Sequence, residues 1–290
     1  MKILLTGGLG HLAKAFIRLF GTEHELTATI RKADARAKGT AKYVVAPDAI
    51  SLAALLDDES FDAIVHLAQT RHAAMDSINN LDAISQEAAL FSVILNRAIS
   101  GSIDRLFVAS TGGLYADKPG SLKETDLLLQ PPNLDTYYAS KLMLESMVSP
   151  HFGDLDVTIG RFFFIYGPDQ DSSKLITRLI DSVKSKRVVR VSPSGGVKLN
   201  PIFVDDAARA IQCCLGLHGA RILNVAGPET SSIRDLTQRI GDLLQVDPDF
   251  ELNGDDRNLV ADISTLESIG VGKLTGLDDG LKQTISWAGR

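Results

Sequence analysis

The sequence predicts an α/β fold: a Rossmann-type, doubly wound parallel sheet with a smaller C-terminal substrate-binding lobe. Three observations support this prediction. Short apolar runs alternate with helical patterns through the first two-thirds of the chain, a glycine-rich turn joins the first run to the first helix, and the pattern loses regularity after about residue 166. Continuous apolar strands separated by helices are typical of a parallel sheet covered on both faces.

The predicted elements follow one another in largely alternating order, each strand being a short apolar run and each helix a longer amphipathic stretch. The strands cover residues 3–6, 26–30, 43–45, 63–67, 105–109 and 157–164, and the helices cover residues 11–20, 51–56, 81–100 and 137–148. After residue 166, turns rich in glycine and proline separate shorter elements.

This organisation predicts two lobes joined without a flexible linker. We expect a dinucleotide-binding domain over residues 1–165, with 200–222 packing back onto it. Residues 166–199 and 223–290 are expected to form the smaller, substrate-binding lobe. Ligands of open α/β sheets bind outside the carboxyl ends of the strands, so the site is expected there.

Composition excludes several classes of function. The 290 residues are 44% hydrophobic and 23% charged, with a net charge of −6, which argues against nucleic-acid or acidic-membrane partners. No apolar run reaches the roughly 18–20 residues that span a bilayer, and the first strand leaves no room for a signal peptide, so we expect a cytoplasmic protein. Cys213 and Cys214 are expected to be core thiols, and no metal site is predicted.

The first turn of the chain carries the clearest ligand signal. Gly8, Gly10 and Ala13 fit the G-x-G-x-x-G/A dinucleotide fingerprint between a strand and a helix. Glycines let the backbone approach a pyrophosphate, and the N–H groups of the helix N-terminus then face the anion. An ordinary strand-to-helix turn is the alternative interpretation.

Two further segments carry groups for proton chemistry. Tyr137 and Lys141 are four residues apart, so they share one face of a helix. An ammonium near a phenol favours the phenolate, and we expect Lys141 to lower the pKa of Tyr137 toward the working pH. The strand 105–109 runs into Ser110 and Thr111, whose hydroxyls stand at the carboxyl end of a central strand beside Gly112.

On these motifs the chain resembles the extended short-chain dehydrogenase/reductases, the NAD-dependent epimerase/dehydratase family. The resemblance covers nearly the whole length, and its motifs occur in the family's order. They are TGGLGHLA at residues 6–13, His66-Leu67-Ala68, Ser110-Thr111 with Tyr115, YYASK at 137–141, RFFFIYGP at 161–168, IFVDD at 202–206 and LNVAG at 223–227.

The resemblance implies a role for each matching residue. Tyr137 would be the catalytic acid/base, Lys141 would also hydrogen-bond the nicotinamide ribose, and Thr111 would be the catalytic hydroxyl. Asp48 would approach the adenine, although Pro47 replaces the usual glycine. The residues assigned to the cofactor are Gly7, Gly10, His11, Leu12, Arg31, Asp48, Leu67, Ala68 and Lys141.

The end of the second strand bears on the choice of cofactor. NAD-preferring relatives carry an acid there that accepts hydrogen bonds from the ribose, whereas this chain has Ile30 followed by Arg31 and Lys32. A pair of cations suits a 2′-phosphate, so we favour NADP over NAD. A solvated basic turn is the alternative.

Other departures from the family pattern concern the substrate. Gly112 and Gly113 follow Thr111 where nucleotide-sugar 4,6-dehydratases carry Asp-Glu, which argues against that dehydration. Phe164 replaces an asparagine that contacts substrate, and Leu199 replaces an arginine that grips a substrate phosphate, with Lys198 a partial substitute. We therefore expect a smaller, less polar substrate than a sugar diphosphate.

The predicted function is an NAD(P)-dependent oxidoreductase acting at a secondary alcohol or ketone. A nucleotide-sugar 4-epimerase with retained NAD is the enzymatic alternative, and a non-catalytic dinucleotide sensor is a third. Thr70, Arg71 and His72 could reach the cleft, or belong to a surface loop.

A homodimer is also expected. The helices at 81–100 and 137–148 correspond to those that pair across the dimer in many relatives. Leu90, Phe91, Ile94 and Leu95 on the first helix could bury against a partner or against the sheet.

Overall fold

The protein is described by a computed structural model over residues 1–69, 77–130 and 133–288. Strands and helices alternate through its first part, as predicted. They are β1 (Lys2–Thr6), α1 (His11–Phe20), β2 (Glu25–Ile30), β3 (Lys42–Val45), α2 (Ala49–Asp58), β4 (Ala63–His66), α3 (Ser77–Ile99), β5 (Arg105–Thr111), α4 (Thr136–Val148) and β6 (Val157–Phe162).

Most strands among the remaining elements have only two or three residues. These elements are α5 (Leu175–Lys184), β7 (Val189–Val191), β8 (Lys198–Leu199), α6 (Val204–Cys214), β9 (Arg221–Val225), β10 (Ser231–Ser232), α7 (Ile233–Leu244), β11 (Phe250–Leu252), β12 (Asn258–Leu259), α8 (Ser264–Ser268) and α9 (Leu277–Ala288). No helix in the described ranges is both long and apolar enough to cross a membrane.

The central sheet has seven strands in the order β3-β2-β1-β4-β5-β6-β9. Strand β1 pairs in parallel with β2 and with β4, and β2–β3 and β4–β5 are parallel as well. The order therefore reverses direction between β1 and β4, where a doubly wound sheet opens its ligand crevice. The predicted fold class is confirmed.

Three strands end at other residues than the sequence predicts: β4 ends one residue early, at His66, and the ends of β5 and β6 differ by two residues each. Strand β5 continues to Thr111, so the hydroxyl of that residue stands on the last strand position. Strand β6 ends at Phe162, and the backbone turns away at Phe164, which takes a positive φ of 45°. A run of apolar residues gives no sign of such a backbone reversal.

The main core lies where helices α2, α3 and α4 cover the sheet. Phe91 and Ile94 of α3 and Leu144 of α4 have no exposed surface and pack with Ile64 of β4. Burying a side chain of this size contributes roughly 1.5–3 kcal/mol. Phe91 and Ile94 thus pack on the chain's own sheet rather than on a partner, and the homodimer stays a prediction.

The chain divides into two compact units. The first comprises Met1–Leu114, Leu128–Arg161 and Ala208–Leu223. The second comprises Tyr115–Leu127, Phe162–Ala207 and Asn224–Arg290. It holds a three-stranded sheet, β10-β8-β12, a parallel pair of β7 and β11, and its own apolar core around Tyr166, Leu236 and Leu281. The assignment of these units to cofactor and substrate stays a prediction.

Candidate active site

The turn between β1 and α1 is shaped by contacts that only small residues allow. Gly7 has a φ of +77°, and a Cβ there would lie 2.9 Å from the Cα of Ala68. The Gly8 N–H donates to the Thr29 carbonyl at 2.9 Å, which fixes the turn against the end of β2. Any side chain at Gly7 would force this turn away from the segment after β4.

Helix α1 begins at this turn without a side-chain cap. Gly10 is its N-cap in extended conformation and makes no side-chain capping bond. Its first turn, with His11 and Leu12, contains no acidic residue. N–H groups at an uncapped helix start favour an anion, so the cradle of glycines and helix N-terminus fits the pyrophosphate of a dinucleotide.

The Thr6 hydroxyl organises the end of β4. It accepts the N–H groups of Leu67 and Ala68, at 3.2 and 3.1 Å, and contacts Nδ1 of His66 at 2.9 Å. Having accepted two bonds, the hydroxyl donates its own proton to Nδ1, which places the proton of the neutral ring on Nε2. Burial, and secondly the charge of Lys141, lower the pKa of His66 to about 3.

Tyr137 and Thr111 are brought together as the sequence predicts. Asp135 caps helix α4 by accepting the N–H of Tyr138 at 2.7 Å, so Tyr137 stands in the first turn. The hydroxyl of Tyr137 lies close enough to the Thr111 side chain for hydrogen bonding with it to lower the pKa of the phenol. The Thr111 oxygen also accepts the Gly113 N–H at 3.2 Å. A hydroxyl pair at the carboxyl end of β5 can bind one substrate oxygen from two sides.

The electrostatics of Tyr137 contradict the sequence prediction. Burial raises its pKa to about 12; the Thr111 hydrogen bond opposes this increase, while the negative charge of Glu87 adds to it. Lys141 does not lower this pKa toward neutrality. Its Nζ lies 3.4 Å from Oε1 of Glu87, and the two side chains are only 5% and 2% exposed. The carboxylate therefore balances the ammonium charge on which the prediction depended.

Sequence reasoning missed Glu87, although a signal was present. Residues 87, 91, 94 and 98 share one face of α3, and Phe91, Ile94 and Ala98 on that face are buried. Burying a carboxyl group within such an apolar stripe is costly unless it is paired and hydrogen-bonded, so the stripe predicts a buried partner for Glu87. Burial lowers the pKa of Lys141, whereas the charge of Glu87 and its hydrogen bond raise it.

A second buried carboxylate stands four residues beyond Lys141. Glu145 receives Nε and Nη2 of Arg161, at 3.0 and 2.7 Å, and the hydroxyl of Ser110. This network joins β5, α4 and β6 and uses both carboxylate oxygens, so it fixes α4 on the sheet.

Tyr138 lies over a glycine that the sequence analysis noted for another reason. A Cβ at Gly113 would fall 2.4 Å from Cε1 of the Tyr138 ring. The rings of Tyr137 and Tyr138 are adjacent, with centroids 5.4 Å apart. The ring of Tyr138 thus occupies the space that a side chain at Gly113 would need.

The two residues predicted for the adenosine end lie at the surface. Arg31 directly follows β2, is exposed, and donates from Nη2 to the Gln69 carbonyl at 2.9 Å. Asp48 caps α2 and accepts the Ser51 N–H at 2.9 Å, a bond that lowers the pKa of its carboxyl. Their contacts with a cofactor stay predictions. Thr70, Arg71 and His72 lie outside the described residues.

The departures at Phe164, Lys198 and Leu199 fall in the second unit. Leu199 has no exposed surface and belongs to that unit's apolar core, and Phe164 packs against the same core. Lys198 is exposed on the same short strand. Within the described ranges, no group of three histidine, cysteine or acidic side chains could hold a metal ion.

A sequence profile of the NAD dependent epimerase/dehydratase family matches residues 3–226. The chain belongs to this family. Its members are NAD-dependent enzymes, which agrees with the predicted family and enzymatic character.

Named relatives are distant. A UDP-glucuronate 4-epimerase of Thermodesulfobacterium geofontis is 25% identical over 246 residues, which cover 82% of this chain and 76% of the relative. A trifunctional UDP-glucose 4,6-dehydratase, 3,5-epimerase and UDP-4-keto-L-rhamnose reductase of Arabidopsis thaliana is 25% identical over 80% of this chain. That match spans only 36% of the plant protein.

A solved structure shares the fold over the full length. The UDP-glucuronic acid 4-epimerase of Bacillus cereus, in complex with UDP-glucuronic acid and NAD, superposes with a TM-score of 0.83. It is 20% identical, and the match covers 99% of this chain and 98% of the other. At this identity the likeness concerns the fold.

Proposed function

We propose that this family member is an NAD(P)-dependent oxidoreductase that transfers a hydride at a secondary alcohol or ketone, with Tyr137 as the acid/base. The observation that carries the proposal is that Tyr137, in the first turn of α4, lies close enough to Thr111 at the carboxyl end of β5 for the two side chains to interact. It lies in the same compact unit as the glycine turn and Lys141.

The chain's own residues would bind the cofactor and direct the proton. Gly7, Gly10 and the start of α1, with His11 and Leu12, would hold the pyrophosphate, and Leu67 and Ala68 would border it. Lys141 would bind the nicotinamide ribose. When bound, the dinucleotide supplies or accepts the hydride.

The protonation state of Tyr137 fits a proton donor. A phenol whose pKa is about 12 is protonated at neutral pH and can give its proton to the oxygen of a ketone that is being reduced. Thr111 would donate a second hydrogen bond to that oxygen and hold it beside the phenol. The same tyrosine would accept the proton when the alcohol is oxidised.

A second candidate is a nucleotide-sugar 4-epimerase. The names of the relatives support it, whereas the buried Leu199 offers no phosphate clamp at its position. A 4-epimerase would convert a UDP-sugar without net consumption of NADH or NADPH, and the oxidoreductase would consume one dinucleotide per turnover.

The cofactor preference is proposed as NADP, since Arg31 is exposed at the end of β2; the Bacillus cereus relative was solved with NAD. Fluorescence titration of wild type and Arg31→Ala with NADPH and NADH tests this. We expect the substitution to weaken NADPH binding roughly ten-fold and to leave NADH binding unchanged. Preferential NADH binding that Arg31→Ala leaves untouched would contradict the proposal.

Tyr137→Phe tests the catalytic proposal. Turnover with a panel of ketones, secondary alcohols and UDP-sugars should fall by about 10²–10⁴, because the acid/base is lost while the ring remains. Affinity for NADH or NADPH should persist, which shows that the site is folded. Tyr43→Phe, which removes a hydroxyl that donates to the Lys38 carbonyl, is the matched control. Turnover equal to wild type in a dinucleotide-binding Tyr137→Phe protein would favour the sensor alternative.

A further inference from the structure

Helix α3 carries a carboxylate into the core beside the candidate active site. Glu87 is 4% exposed and shares its helix face with Phe91, Ile94 and Ala98. A buried charge is costly unless it is paired and hydrogen-bonded. Its pairing with Lys141, at 3.4 Å, is longer than the 2.7–2.9 Å usual for an ammonium–carboxylate bond.

The second oxygen of the same carboxylate has no partner within the described part of the chain. Oε2 of Glu87 is buried, and no donor among the described residues bonds it. Glu145, equally buried in the same unit, has both oxygens bonded. A buried acceptor left without a donor costs about 1–3 kcal/mol, so this position suits a donor that arrives with a ligand.

The carboxylate of Glu87 lies beside the proposed catalytic groups. Its Oε1 contacts Nζ of Lys141, and the ring of Phe91, one turn further along α3, lies 5.1 Å from the ring of His66. The charge of Glu87 also acts on Tyr137. These side chains come from β4, α3 and α4 of one compact unit. A donor that reached Oε2 would also meet the ammonium of Lys141.

We propose that Glu87 is a positioning residue, which holds Lys141 through Oε1 and accepts through Oε2 a hydrogen bond from a hydroxyl of the nicotinamide ribose. This inference rests on the proposed function, which assigns that ribose to Lys141. A vicinal diol suits the pair, since one hydroxyl accepts from the ammonium while the other donates to the carboxylate. A ligand without a second ribose cannot make this contact.

Glu87→Gln tests the contact with little change in volume. The amide oxygen can still accept from Lys141, but an NH₂ donor replaces the second acceptor and meets the ribose hydroxyl unfavourably. Wild type and variant are titrated with NADH, NADPH and ADP, and melting is recorded. ADP carries the adenosine and pyrophosphate groups but no nicotinamide ribose. We expect affinity for the preferred dinucleotide to fall roughly ten- to hundred-fold and affinity for ADP to stay unchanged.

Two further variants make the result decisive. Glu59→Gln alters a carboxylate that also pairs with lysines, Lys2 and Lys42, at the end of α2, and should leave all three affinities unchanged. If Glu87→Gln does not fold, Glu87→Asp keeps the charge but draws the oxygens back, and the same selective loss of dinucleotide affinity is expected.

The outcomes separate the two proposals. Dinucleotide affinity within two-fold of wild type in a folded Glu87 variant would overturn the positioning role alone. Equal losses for dinucleotide and ADP would overturn it too, since they indicate a general disturbance of the fold. A wild-type protein that binds neither NADH nor NADPH would overturn the proposed function itself, and this inference with it.

Discussion

Two buried carboxylates of the first unit, Glu145 and Glu87, differ in how completely they are bonded. Glu145 receives three hydrogen bonds, two of them from the guanidinium of Arg161. Among the residues that the structure describes, Glu87 receives one long contact, from Lys141, and its Oε2 has no donor. Their exposed fractions are nearly equal, 5% and 4%, so burial does not explain the difference.

The bonding partners explain it. A planar guanidinium presents two parallel N–H donors and can occupy both oxygens of one carboxylate, whereas an ammonium acts as a point charge. The Glu145 network is complete within the protein, and this indicates a structural role. In the pair of Glu87 and Lys141, the second carboxylate oxygen can still accept a hydrogen bond, and this indicates a role with a ligand. Lys141 and Glu145 are four residues apart on α4, so one helix serves both purposes.

The largest expected effect comes from removing the guanidinium of the complete network. Arg161→Met leaves Glu145 buried without its cation, and we expect the free energy of unfolding to fall by about 3–5 kcal/mol. Urea unfolding measures this change. Arg97→Met is the control, because Arg97 pairs with Asp57, a partly exposed carboxylate, and its loss should cost less than about 1 kcal/mol. If Arg161→Met lowers the free energy of unfolding no more than the control does, the structural role assigned to the Glu145 network is contradicted, and with it the contrast between Glu145 and Glu87.

A smaller effect is expected from the incomplete cluster, and it depends on pH. The pKa of His66 is about 3 when folded and 6.5 in the reference state. Below pH 6.5 the unfolded chain therefore binds a proton that the folded protein excludes. Stability that is present above pH 6.5 should decline on acidification toward pH 3, with a slope on the order of 1 kcal/mol per pH unit.

His66→Gln should flatten this acid slope relative to wild type when unfolding is measured at several pH values between 3 and 7. His151→Gln removes a partly exposed histidine and serves as the control. An unchanged slope in the His66 variant would show that His66 does not contribute to the acid sensitivity of the fold.

Much of the fold could be read from local pattern. The glycine turn, the apolar strands and the amphipathic helices each depend on neighbouring residues, so β1–β6 and α1–α4 appear close to their predicted positions. Thr111 could be placed at the carboxyl end of a central strand and Tyr137 on a helix, and the family resemblance implies that the two act together. The end of β6 could not, since a positive φ at Phe164 has no signature in an apolar run.

The sequence by itself determined the fold class, the dinucleotide turn and the candidate catalytic hydroxyls, because these follow from periodicity and spacing along the chain. Only the tertiary structure decided which charged groups surround Tyr137. Glu87 is 54 residues from Lys141, and packing of α3 and α4 on one sheet brings them together. Burial raises the pKa of Tyr137, whereas the four-residue spacing of Tyr137 and Lys141 predicts that Lys141 would lower it. Electrostatics in a core depends on desolvation and on distant neighbours, and neither is encoded in a local motif.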